Sequence, residues 1–477
     1  MPHSRQNTPV ILSAISKPSC LLGIDFAKDV KVASDRRTKL ISNQAARLLS
    51  GSGFLLLCRV LGAAATFVTQ LLLARSMGAA ELGSYVFAFS WLTLTSAIPA
   101  GGYNVAAIRF IGQGLADKNN AYTRGYINHV IKIILVTSTS MALLAIVVAS
   151  LLPGFTPEKN ILFLATAAGL PFFAIMRANN GIAMASARYA LGNLPNNVFR
   201  PILFLMLIWL LLQYDISLNS GLAMQMQVLA IVTMAIITSA LMWQFARKLT
   251  SPDPPIKESR VWNRTAMSLM GVEVFTNYFQ PITVIVSGLF LAKADIGIYA
   301  VGYRVALVIS FTLIAIDAFT APIYSRHYRK NDRVRLIREI RYATALRFSI
   351  SFAAVIFLIF FGEWVLGLFG SEFVGGHTIT IILALAQLGQ AAVGPVAKLL
   401  AISGHHKRSL FASGASLALW LVLTAILMPK YGILGVAIAV FFSLITWAAI
   451  LRHFVARYLN ISIFVVVRDL EPQPSFP

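Results

Sequence analysis

Polar side chains are so scarce in this chain that each one inside an apolar run raises the question of what it binds. Ser52, Arg59, Thr66 and Gln70 recur at a spacing that, at about 100° per residue, keeps them on one helix face over roughly 27 Å. Lipid cannot satisfy such a stripe, so it faces protein or water. Arg59 is a permanently charged planar fork, suited to bidentate binding of phosphate. Glu273, Asn277 and Gln280 stand at i, i+4 and i+7 and share a second face, followed by Pro281. Arg304 and Asp317 lie on one further segment about 140° apart, so they do not share a face. Asn104 follows Pro99, Gly101 and Gly102, a composition that invites a break in a helix. These groups could bind an anion and exchange an ion, but they assemble no nucleophile and base. The chain has no Asp-x-Asp, no phosphate-binding Gly-rich loop and no His-Glu-x-x-His, and the adjacent His405 and His406 lack a third ligand. No catalytic residue, cofactor or metal site is expected, and the chain is not read as an enzyme.

The elements that must position these residues are membrane helices. Hydrophobic residues make 57% of the 477 and charged ones 12%, with a mean hydropathy of +0.74, against roughly 25% charged in soluble domains. At about 20 apolar residues per crossing, twelve spans are expected, near 53–75, 84–105, 127–151, 159–181, 197–213, 224–246, 266–291, 298–322, 343–367, 377–401, 408–428 and 432–455. A net charge of +22 could point to nucleic acid, but the 40 Lys and Arg are segregated. Only Arg75, Lys159, Lys293 and Lys430 fall on one side, and Arg59 and Arg304 lie inside spans. The positive-inside rule then puts both termini in the cytoplasm, and the charge reflects topology and anionic lipid rather than nucleic acid. The hydrophilic stretches 109–126 and 325–342 are expected as cytoplasmic loops. Cys20 and Cys58 have no spacing that suggests a bridge or a metal site.

The chain is also a duplication. LLLARSMGAAELGSYVFAFSWL, residues 71–92, recurs roughly 215 residues later as LFLAKADIGIYAVGYRVAL, residues 289–307. Ala292-Lys293 stand for Ala74-Arg75, and Gly297 and Tyr299 for Gly83 and Tyr85. Each copy reads as a tight turn between two membrane helices, and repeats of this length in apolar chains are a mark of transporters. The expected division is a cytoplasmic tail at 1–46, without sustained helical period, a six-helix bundle at 47–250, a Pro-rich linker at 251–264, a second bundle at 265–456 and a tail at 457–477.

With Ala74-Arg75, Gly78, Glu81, Gly83 and Tyr85, then Asp295, Gly297, Tyr299 and Arg304, and finally Tyr431-Gly432, Gly435 and Ala437, the chain resembles the polysaccharide-biosynthesis flippases of the multidrug/oligosaccharidyl-lipid/polysaccharide exporter superfamily. The resemblance covers residues 47–456 and says nothing of the glycan. It implies an all-α fold of two pseudo-symmetric six-helix bundles around a central cleft, working by alternating access in the cell inner membrane. The implied substrate is a polyprenyl-pyrophosphate-linked oligosaccharide for cell-surface polysaccharide, lipopolysaccharide or exopolysaccharide, with polysaccharide polymerase and export proteins as partners. Arg59, Asn104, Asn277, Arg304 and Lys398 are the candidate cleft ligands, and Glu273 and Asp317 the candidate sites for a coupling H+ or Na+. From their positions, Arg59 lies about 24 Å, Asp317 about 27 Å and Glu273 about 30 Å from the turn end, so Arg59 is expected to pair with one of these acids in the empty cleft. The two turns are expected to meet on the outer rim. An organic-cation antiporter of the same superfamily is the rival reading, and it would want an acid-dominated cleft.

Overall fold

The computed structural model describes the backbone of residues 26–469, apart from 152, 154–155, 157–159, 250–253 and 256–257, and side chains from Cys58 onward, apart from those stretches and positions 59, 268, 271–277, 406–407 and 466–469. The chain divides into two compact units, Met1–Gly53 and Phe54–Pro477. In the first, residues 26–53 are helical, where a tail was expected up to residue 46; of that tail, residues 1–25 lie outside the described residues. The second unit holds the rest of that helix, from Phe54 onward, and every other element.

Its first half is built from α1 (Phe26–Ala100), α2 (Tyr103–Ala116), α3 (Asn120–Ser150), α4 (Ile161–Ala185), α5 (Tyr189–Leu194), a π-helical turn (Pro195–Phe199), α6 (Arg200–Gln213) and α7 (Ser220–Lys248). The second half holds α8 (Ser259–Asn277), α9 (Phe279–Phe290), α10 (Lys293–Arg329), α11 (Arg333–Gly367), a 3-10 turn (Ser371–Gly376), α12 (His377–Val393), α13 (Val396–Ile402) and α14 (His406–Leu459). Helix α1 is two limbs joined at Gly78, whose φ of 75° and ψ of 178° suit only glycine. The second limb returns beside the first, because Thr66, Gln70 and Leu73 line the same cavity as Thr93, Phe89 and Tyr85. Helix α14 reverses likewise near Gly432, where Trp447 Nε1 donates to Ser413 Oγ at 3.2 Å and Ser416 bonds Ser443 across the pair. With α8 and the short apolar α9 together making one more crossing, each of the twelve expected spans is mainly helical over its described residues; 84–105 is broken at Gly101-Gly102, as its composition led us to expect, 266–291 at Tyr278 and 377–401 at Gly394-Pro395.

Helix α4 packs on α2, α3 and α7 in the first half, and α12 packs on α10, α11 and α14 in the second. Of the expected linker, residues from Ser259 onward are already helix α8, and α8 lies against α2 and α3 of the first half as well as α14. Trp262 is fully buried there among Tyr122, Tyr126 and His129, and Tyr103 Oη donates to Asn263 Oδ1 at 2.7 Å.

Three readings of hydrophilic sequence are corrected. Residues 109–126 and 325–342 are not loops but helix ends, joined by turns at 117–119 and 330–332. Asn119 and Asp332 cap the helices after them, accepting from Tyr122 N at 2.9 Å and Arg335 N at 3.1 Å, which satisfies amides that would otherwise need water. At 37 residues α10 is roughly 55 Å long, so it outruns the hydrocarbon core of about 30 Å and carries its basic end into the aqueous phase. Within the expected tail at 457–477, the residues past α14 form a hairpin, β1 (Ile461–Phe464) paired antiparallel with β2 (Val466–Asp469), and residues 470–477 lie outside the described residues. It is docked by Val465 N–H donating to Ala392 O at 2.7 Å and by the fully buried Ile461 and Ile463.

Candidate functional site

A cavity of about 330 Å³ lies between the halves. Its polar wall comes from Thr66, Gln70 and Tyr85 of α1, Arg200 of α6, Gln227 of α7, Gln280 of α9 and Arg304 of α10. Arg304 Nε donates to Gln70 Oε1 at 2.7 Å, a bond from one half to the other. Arg200 opens α6 directly after the π-helical turn, a widened element of the kind that re-aims side chains at functional sites. Its guanidinium lies 5.8 Å from the Phe89 ring and 5.7 Å from the Phe173 ring. Arg177 of α4 shares the Phe173 ring at 5.8 Å and lies 4.9 Å from the Tyr278 ring at the break between α8 and α9. Tyr85 Oη donates to Gln227 Oε1 at 3.2 Å, and Tyr303 stacks on Tyr299 with centroids 6.0 Å apart.

No carboxylate is among the described residues that line this cavity. Two guanidiniums, three amides and aromatic faces with no fixed negative charge make a wall that favours anions and hydroxyl-rich groups. Guanidinium forks match phosphate oxygens two at a time, and amides pair with hydroxyls as donor and acceptor. In a site screened from water these interactions count for more than at an exposed surface.

The sequence-derived candidates divide. Arg304 lines the cavity, as do Thr66 and Gln70 of the first polar stripe and Gln280 of the second. The side chains of Arg59, Glu273 and Asn277 lie outside the described residues. Asn104 is not a lining residue; it packs against Gly181, between α2 and α4. Lys398 is exposed on α13. Asp317 is ion-paired to Arg347 of α11, in a part of the second half that does not border the cavity. Arg200 and Arg177 were missed because each sits near the end of its span on the basic side, where a cation reads as a topology signal. The available hint was the pairing of each with a group one turn earlier, Phe173 before Arg177 and Asn196 before Arg200.

The repeated turns meet at one end of the cavity, as expected. Gly83 lies against the Lys293 carbonyl and Gly297 against the Ala79 carbonyl, so closely that a Cβ at either would overlap backbone. Arg75 Nε donates to Leu368 O at 2.6 Å, Glu372 Oε2 accepts from Ala79 N–H at 2.8 Å, and Lys293 Nζ sits 3.6 Å from the Phe87 ring centroid. Glu81, in the turn outside the spans, accepts from Ser220 N–H at 2.7 Å, and bonding from the Ser220 hydroxyl and amide holds its carboxyl below the usual range.

Against known proteins, residues 48–327 match the family model described as "Polysaccharide biosynthesis protein". The chain belongs to that family. It is 23% identical over 412 residues to the probable low-salt glycan biosynthesis flippase Agl15 of Haloferax volcanii, covering 85% of this chain and 83% of that one. Among solved structures it is similar to a multidrug resistance MATE family transporter of the MOP superfamily in an inward-facing conformation, with a TM-score of 0.64, 15% identity, and 83% and 96% of the two chains covered. It is also similar to the lipid II flippase MurJ in an inward closed conformation, with a TM-score of 0.63, 15% identity, and 86% and 87% covered. The family member described here is a multi-pass membrane protein with the fold of two pseudo-symmetric six-helix bundles, and its relatives are transporters and flippases rather than enzymes.

Proposed function

We propose that this chain is a flippase for a lipid-linked oligosaccharide, moving a polyprenyl-pyrophosphate glycan from the cytoplasmic to the outer leaflet of the inner membrane. The observation that carries the reading is the cavity wall: Arg200 and Arg304 face it and no carboxylate does among its described lining residues. The guanidiniums take the pyrophosphate, while Gln70, Gln227 and Gln280 and the faces of Tyr85 and Phe89 take the first sugar. The isoprenoid tail stays in lipid. At about 330 Å³ the cavity is at the small end of the roughly 300–1,000 Å³ of small-ligand sites, so the halves must part to admit a longer glycan. On sequence spacing alone, Arg59 is assigned to the same helix face as Thr66 and Gln70, and Glu273 to the same face as Asn277 one turn away, as further candidate ligands. The charge pattern supports cytoplasmic termini, with the paired turns on the outer side and the bundles at 47–250 and 265–456. Asn104 and Lys398 belong to the rim of an opened cleft, and Asp317, held by Arg347, joins Glu273 as a carboxylate able to take H+ or Na+.

The test is flipping of a fluorescent polyprenyl-pyrophosphate oligosaccharide in proteoliposomes. Arg200→Ala and Arg304→Ala should each reduce the rate at least about tenfold, the loss of one charge-assisted contact, and the Lys variants should recover only part, because a point charge replaces a fork. Wild-type flipping in both Ala variants, or efflux of an organic cation such as ethidium that both variants leave intact, would overturn the reading in favour of a drug antiporter.

A further inference from the structure

Two contacts at the turn end form a matched pair. Gly78 breaks α1 with its φ of 75°, so the second limb starts at Ala79 with orphan amides and a capping residue that has no side chain. The missing cap comes from the other half of the molecule. Glu372, in the 3-10 turn before α12, accepts from Ala79 N–H at 2.8 Å, and a Cβ at position 78 would come within 3.2 Å of the same carboxylate oxygen. The reverse contact runs from the first half to the second. Helix α11 ends at Gly367, where the turn that follows takes the carbonyls of Trp364, Leu366 and Gly367; Leu368 O, one residue past that end, accepts from Arg75 Nε at 2.6 Å. An acid thus sits on a helix N-terminus and a base on a helix C-terminus, each the favourable sign for the helix dipole, and each given by one half to the other.

We propose that Glu372 and Arg75 are the latch of the turn-side gate, a reciprocal cap that closes the cavity at this end and is broken and remade once in each transport cycle. Both side chains are exposed, so water can replace either partner when the halves part. The Gly83 and Gly297 crossing beneath them allows close approach but offers no directional bond. Closure by packing alone would let the halves slide; two bonds of opposite polarity fix the register in which they meet. Glu372 and Arg75 are therefore positioning residues, acting on the cavity through the helices they cap. The latch rests on the cavity being the transport path, and its test is chosen to read closure without any substrate.

In a chain lacking Cys20 and Cys58, a cysteine at Thr93 in the cavity wall would be labelled by a membrane-impermeant maleimide applied from the turn side of sided vesicles. Glu372→Ala and Arg75→Ala should speed labelling roughly 5- to 30-fold, the population change that loss of a helix cap produces, and Glu372→Gln, which keeps an acceptor without the charge, should fall between. A second arm joins cysteines at 75 and 368 with a reducible crosslinker. Labelling of Thr93→Cys should then stop, as should flipping in the same chain without that probe, and both should return on reduction. Wild-type labelling rates in folded Glu372→Ala and Arg75→Ala, or unaltered labelling of the crosslinked protein, would overturn the latch. Labelling that follows the latch while flipping is absent throughout would leave the latch standing and overturn the flippase reading instead.

Discussion

The two copies of the repeated turn keep the same means of approach and differ in what holds them. In the first, the chain reverses through Gly78 at positive φ; in the second it reverses through an extended Leu291-Ala292, which is why that copy is shorter. Both place a glycine at the crossing, and each glycine meets a carbonyl of the opposite copy. Both bury a tyrosine below the crossing, Tyr85 bonded to Gln227 and Tyr299 stacked on Tyr303. The basic residues diverge. Arg75 bonds a carbonyl of the other half, whereas Lys293 donates to Gly288 O of its own half at 2.7 Å and only rests on the Phe87 ring. Duplication has kept the shape of the contact, and the bonds across it were assigned afresh in each half.

The largest effect should come from what the copies share. Gly83→Ala and Gly297→Ala each drive a methyl into a backbone carbonyl, which cannot rotate aside as a side chain can. Each should cost about 1–3 kcal/mol in thermal unfolding of the purified protein, the usual range for overpacking. Each should also abolish crosslinking of cysteines placed at 79 and 294. Loss at one glycine with full tolerance at the other would show that the copies are not equivalent at the crossing, and the comparison would then rest on sequence alone.

The same physics decides which of these features the chain shows in its sequence. The turns were legible because glycine and tyrosine at fixed spacing report close backbone approach and a buried ring. Half of the cavity wall was legible too, since Thr66, Gln70, Gln280 and Arg304 are polar groups deep in apolar runs, which lipid cannot satisfy. Arg200 was not, because its place in the cavity depends on a π-helical turn between Pro195 and Pro201 that leaves no periodic mark. Asp317 was legible as an intramembrane acid, but its partner Arg347 stands close enough to the basic end of α11 to pass for a topology charge. The hydrophilic stretches hid helix ends because short turns capped by Asn119 and Asp332 need only three residues, and the helices on either side are long enough to leave the membrane. The terminal hairpin was hidden because its apolar alternation spans only four residues per strand, too short to separate from a tail.

The smallest effect separates the acids of the two turns. Glu81 and Asp295 occupy matching positions, yet Glu81 caps the start of α7 through Ser220, while Asp295 lies in the first turn of its own helix. Glu81→Ala should therefore cost about 0.5–2 kcal/mol, the range for a lost cap, and Asp295→Ala about 0.3–1 kcal/mol, the range for a charge near a helix dipole. Acidity distinguishes them further. The Ser220 bonds hold the folded Glu81 carboxyl below its unfolded value, so its contribution is complete above the unfolded value and is lost as pH falls through the folded one. Thermal unfolding of wild type and Glu81→Ala should differ at neutral pH and converge in acid below the ordinary carboxylate range. A gap that persists there would mean that Glu81 acts by packing rather than by charge, and the distinction drawn between the two turns at this position would fail.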